Sequence, residues 1–177
     1  MKATFADVDA RALCAFHDRS VTIGDASDDT GAFASDVARF IAANHRNNRL
    51  LWDEEDQARR TDVDDAAIAA NKRAIDRYNQ QRNDAIERID EALLARVAGI
   101  PVATDAWHNS ETAGAMIDRL SILALKIHHM RAQTLRADAT QEHVALALEP
   151  HKLFRTARDV LLRRVGAQRL RAHVMDL

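Results

Sequence analysis

Apolar residues recur at intervals of three and four along most of the chain, the spacing that puts side chains on one face of an α-helix. Phe5, Val8, Leu13 and Phe16 line one side of a short first helix over about 5–18, with Thr4 as its cap. A stretch rich in Gly, Asp, Thr and Ser over 20–35 predicts a flexible connection. Ser35 and Asp36 then stand ready to cap a second helix over 37–59. After a break at 61–65 the longest helix is predicted over 66–98, closed by Gly99 and Pro101. A loop over 100–111 carries Trp107, His108 and Asn109. The fourth helix, over 112–136, starts near Ser110 or Thr112. Asp138 and Gln141 predict a capping box for a fifth helix, which Pro150 should kink or restart and whose end beyond Gly166 should fray. The fold class is all-α: an antiparallel helical bundle of four main helices plus a short N-terminal helix, in a single domain over 1–177.

The apolar stripes do not stay apolar. On the second helix Ile41, His45, Asn48, Trp52 and Glu55 follow one another at spacings of 4, 3, 4 and 3, so the line turns polar halfway along while keeping its phase. On the third, Lys72, Asn79 and Arg82 fall in phase with Ile68, Ile75, Ile86 and Ile89, and an adjacent line holds Asp76, Asn83, Glu87 and Asp90. On the fourth, Asp118, Arg119, Lys126 and His129 flank the line of Ile117, Leu120, Ala124 and Ile127. An unpaired charge in a core costs several kcal/mol. Such residues must therefore be paired with one another or serve a ligand.

Composition narrows the field. With 5 Gly and 2 Pro in 177 residues there is too little turn chemistry for a many-stranded sheet. A formal net charge of −2 gives no global field toward nucleic acid. The best apolar run, around Ile117 to Met130, is interrupted by Asp118, Arg119, Lys126, His128 and His129, so no membrane insertion is expected. The N-terminus meets Asp7 and Asp9 at once and lacks the apolar core of a signal peptide. The single cysteine, Cys14, excludes an internal disulfide and any Cys-rich metal site. A cytoplasmic protein is expected.

Three segments in order, NNRLLWDEEDQAR from Asn47, KRAIDRYNQQRNDAIERID from Lys72 and NSETAGAMIDRLSILALKIHHM from Asn109, resemble the bacterial domain-of-unknown-function family 4254. The resemblance singles out Asn48, Trp52, Glu55, Asp56, Asp76, Asn79, Gln80, Arg82, Asn83, Asp84, Glu87, Glu111, Asp118, Arg119, Ser121 and Lys126. It implies no established activity. Ala113 stands where such sequences often carry proline, and the C-terminal stretch from Leu153 lacks the aromatic and asparagine-rich ending of the family.

Two functional expectations follow. In the first, an internal cationic pocket binds a small anionic metabolite through His45, Asn48, Lys72, Asn79, Arg82, Asn83, Arg119, Lys126 and His129. Glu55, Glu87 and Asp118 are then the acid or base candidates for isomerase- or lyase-type chemistry. In the second, the inward charges are a structural ion-pair network inside a non-enzymatic interaction protein. The basic C-terminal region (Lys152, Arg155, Arg158, Arg163, Arg164, Arg169, Arg171) and the acidic run Asp53 to Asp65 would then offer docking surfaces. No Glu-x-x-His occurs, which argues against a carboxylate-bridged two-metal site. A single ion on His45, Glu55 and His129 stays open as an arrangement, but no metal and no cofactor are expected. A homodimer is expected, because small bundles with spare amphipathic helices often pair.

Overall fold

The computed structural model describes residues 8–23, 35–99 and 110–174, and the side chains among them up to residue 159. The chain is all-α. Five helices occur in order: α1 (Ala10–Ile23), α2 (Asp36–Gln57), α3 (Asp65–Val97), α4 (Ala113–Thr134) and α5 (Gln141–Val174), with no strand among the described residues. None of these helices is long and apolar enough to cross a membrane. Thr4, Phe5, Pro101 and the segment with Trp107, His108 and Asn109 lie outside the described residues.

The helix starts follow the capping chemistry. Ser35 takes an extended backbone and its hydroxyl accepts from Ala38 N–H, while Asp64 accepts from Ala67 N–H at 2.8 Å. Thr112 accepts from Ala115 N–H at 3.2 Å at the start of α4. Three expectations are corrected. α1 begins at Ala10, because Asp9 Oδ1 accepts from the Arg11 and Ala12 N–H groups and so sets the cap after Thr4 and Phe5. It runs through 20–23, where a connection was expected, since Ser20, Val21 and Ile23 do not oppose a helix already nucleated. The cap of α5 is Thr140, whose hydroxyl accepts from His143 N–H at 3.1 Å. Asp138 is instead drawn onto Arg136 at 2.6 Å. Helix α5 also runs on through Pro150. Gly99, with φ +82°, ends α3 in the left-handed conformation that side chains disfavour.

Two compact units are present. One holds α2, α3 and the first turns of α4 through Asp118; the other holds α1, the rest of α4 and α5. In the first, α2 and α3 form an antiparallel hairpin. Asn71 Nδ2 donates to Glu54 Oε2 at 2.7 Å near the turn, and Arg88 lies 5.9 Å from the Phe40 ring far from it. Its core consists of Val37, Ala38 and Ile41 from α2, Ala74, Ile75, Ala85 and Ile89 from α3, and Met116 and Ile117 from α4. In the second unit Arg158 Nη1 of α5 pairs with Asp18 Oδ1 of α1 at 2.7 Å, and Lys126 Nζ stands 5.1 Å over the Phe154 ring. Cys14 belongs to this unit. Burial pushes its thiol up to about 11, against the lowering pull of Arg158, so it is a small apolar residue and not a nucleophile.

The first turn of α4 is pressed onto α3. The free Gly114 N–H donates to Asp90 Oδ1 at 2.7 Å, one of the few N–H groups that a helix start leaves unpaired. A Cβ at residue 114 would meet the Ile86 carbonyl oxygen at 2.6 Å and Asp90 Oδ2 at 2.9 Å. Gly114→Ala is therefore expected to lower unfolding free energy by about 1–3 kcal/mol. Chemical denaturation checks this as a fall in midpoint with an unchanged slope.

Candidate functional site

The polar residues that share phase with the apolar stripes converge on one carboxylate. Asp118 on α4 is buried, its side chain only 5% exposed. Among the described residues four hydrogen bonds reach it. Asn44 Nδ2 and Asn48 Nδ2, one turn apart on α2, each donate to Oδ1 at 2.9 Å. From α3, Arg82 Nε donates to Oδ1 at 2.8 Å and Arg82 Nη2 to Oδ2 at 2.5 Å, a bidentate fork. Asn48 Nδ2 also lies 3.3 Å from Asn44 Oδ1. Arg82 reaches in from the edge of the hairpin with its side chain 26% exposed.

Electrostatics follows from this geometry. Burial pushes the Asp118 carboxyl up, but the bonds from Arg82, Asn48 and Asn44 outweigh it and hold the group below the usual carboxylate range. The same hydrogen bond raises the Arg82 guanidinium above its ordinary value, against the opposing effect of its own burial. His45, next to Asn44 on the buried face of α2, behaves differently. Burial, and then the Arg49 cation, push its imidazole down to about 4. It is a neutral ring at physiological pH and adds no charge for an anion.

Of the residues expected to hold a ligand or to exchange a proton, Asn48, Arg82 and Asp118 therefore meet, and they meet one another. Asn79 is half-buried on α3 outside this cluster, and Glu55 is half-buried on α2. Lys72, Asn83 and Glu87 are exposed on α3. Arg119 is exposed, while Lys126 and His129 are half-buried; these three belong to the second unit, where His129 packs edge-on to His128 at 5.3 Å. Among the described residues no group of three or more His, Cys, Asp or Glu side chains could hold a metal ion.

The phase of α3 explains these positions. Its buried line is Ala74, Ile75, Ala85 and Ile89. The expected walk shares Ile75, Arg82 and Ile89 with that face, but Lys72, Asn79 and Ile86 fall to its flank. Asn44 was missed, although it sits three residues after Ile41 and four before Asn48, in the phase of the stripe. Asp90 was placed only on the adjacent line, and its role at the Gly114 N–H depends on a close helix approach that no spacing reveals.

The fold and the cluster define a class: an all-α protein in which a buried carboxylate ties three helices together. The chain belongs to the family described as Protein of unknown function (DUF4254), whose model matches residues 38–164 and so covers the hairpin, the cluster and α4. Neither a comparison with curated proteins nor one with solved structures finds a match.

Two outcomes test this geometry. Arg82→Met leaves the Asp118 carboxylate buried without its cation, and the loss of unfolding free energy in ligand-free buffer is expected to be about 3–5 kcal/mol. The second concerns pH. Folded His45 titrates at about 4 against an ordinary 6.5, so the unfolded chain takes up the proton first as pH falls. Its contribution is present above 6.5 and is lost between 6.5 and about 4, on the order of 3 kcal/mol in all. Asp118, lowered from an ordinary 3.8, adds its own loss only below that value. His45→Gln should flatten the stability–pH curve between about 4 and 6.5 relative to the wild type, read by denaturant midpoints across that range.

Proposed function

We propose that this chain is a non-enzymatic helical interaction protein whose inward charges hold α2, α3 and the start of α4 in register. One observation carries the reading: the Asp118 carboxylate is 5% exposed and both its oxygens are engaged, by Asn44, Asn48 and the Arg82 fork. A general acid or base needs an open approach for the proton it exchanges and a pKa near the working pH. Asp118 has an approach closed by Asn44, Asn48 and Arg82, and it is held ionised. Lys72, Asn83 and Glu87 face solvent on α3, which favours a role on the surface over one in an internal pocket.

The interactions then fall to the outer faces. Asp53, Asp56, Asp62, Asp64 and Asp65 are exposed around the turn between α2 and α3, and Lys152 and Arg155 are exposed on α5. We place the protein in the cytoplasm and as a homodimer. Leu146 and Leu153, exposed one heptad apart on α5, are the apolar residues a second copy would cover.

A charge-free pair of substitutions separates this reading from an enzyme pocket. Asp118→Asn keeps the Oδ1 acceptor for Asn44 and Asn48, and Arg82→Met then removes the charge left over. The double variant is expected to recover most of the stability lost by Arg82→Met, ending within about 1 kcal/mol of the wild type. Thermal-shift screening with small anionic metabolites is expected to treat wild type and double variant alike. A metabolite that stabilises only the wild type would overturn the proposal.

A further inference from the structure

We infer that the groove between α2 and α3 on the far side from the turn is a binding site for a small phosphate-bearing molecule. The inference rests on the non-enzymatic reading above and gives it a ligand. Arg39, Ala43 and Arg46 stand on one face of α2 at spacings of 4 and 3, and Gln81, Asp84 and Arg88 on one face of α3 at 3 and 4. Both faces line the same cavity of about 380 Å³, within the range of small-molecule sites. Its room comes from small residues, Ala43 on α2 and Ala85 on α3, where longer side chains would close the gap between the helices.

The lining has three guanidiniums against one carboxylate, in a chain whose overall charge is −2. The arginines therefore converge on one hollow instead of following the average of the surface. Arg39 shares its charge with Asp36, and the one lining acid, Asp84, accepts from Gln80 Nε2 at 2.7 Å. Arg88 is held over the Phe40 ring at 5.9 Å, which orients its planar fork without neutralising it. Asn47 and Gln81 add amide donors to the wall. Guanidinium forks arriving from two helices, with neutral amides between them, match a doubly charged tetrahedral oxyanion better than a single carboxylate.

The full chain titrated with inorganic pyrophosphate in low-salt buffer tests this, by calorimetry or by backbone amide shifts. Saturable binding is expected, weakened about tenfold or more in the Arg46→Gln/Arg88→Gln pair, since each tenfold corresponds to about 1.4 kcal/mol. Both residues are exposed, so the pair should still fold cooperatively, with at most a small shift in its unfolding midpoint. Ala43→Glu, which places a carboxylate on the exposed wall, should weaken binding to a similar degree. Lys152→Gln/Arg155→Gln on α5 should leave it unchanged. No saturable binding, or an equal loss in the α5 pair, overturns the site. Vesicles of phosphatidylcholine with phosphatidic acid form a second arm, and retention on them without binding of soluble pyrophosphate also overturns it. Binding lost in Arg82→Met/Asp118→Asn but kept in the groove variants would sink the non-enzymatic reading as well. Absence of binding in every variant sinks the groove alone.

Discussion

The first compact unit depends on how a single desolvated carboxylate is satisfied. Asp118 has left water, and burial alone would drive it toward the neutral acid. It stays ionised because α2 sends two amides and α3 a bidentate guanidinium, at 2.5–2.9 Å. Apolar faces can slide past one another with little change in buried area. Four directional bonds to one group cannot, so each helix has one position in which Asp118 is satisfied. The burial of Ile41, Ile89 and Ile117 and the close seat of Gly114 on α3 are consistent with that one solution.

The same residue type performs two tasks within two turns of α3. Arg82 points its fork at a carboxylate of the protein and is consumed there. Arg88, six residues on, lies over the Phe40 ring and lines an open groove. Arg82 thus belongs to the scaffold, while the arginines lining the groove belong to the surface open to a ligand. It also moves the centre of functional interest away from Asp118, whose two oxygens are taken up by Asn44, Asn48 and Arg82.

Much of this was legible in the pattern of residues. Helix existence, the Ser35 and Thr112 caps, the stop at Gly99 and the inward phase of Ile41, His45, Asn48 and Arg82 all depend on neighbours within a few positions. The failures have local competitors or distant causes. The cap expected at Asp138 falls to Thr140 instead, because both Asp138 oxygens accept from the Arg136 guanidinium two residues away. Strict alternation of four and three along α3 predicts Lys72 inward, whereas the buried face there is centred on Ala74, Ile75, Ala85 and Ile89 and Lys72 is exposed.

What the amino-acid order settles is therefore the helices, their ends and the presence of polar residues in an apolar phase, because each rests on interactions between residues close in the chain. Which polar residue answers which was decided only by the tertiary structure. The partners of Asp118 lie 36, 70 and 74 positions away, and their distances depend on how three helices are rotated and spaced. No periodicity carries that information. The arginines of the groove tell the same story, since Arg39 and Arg46 meet Arg88 across a gap that exists only once α2 has packed against α3 with alanines in between.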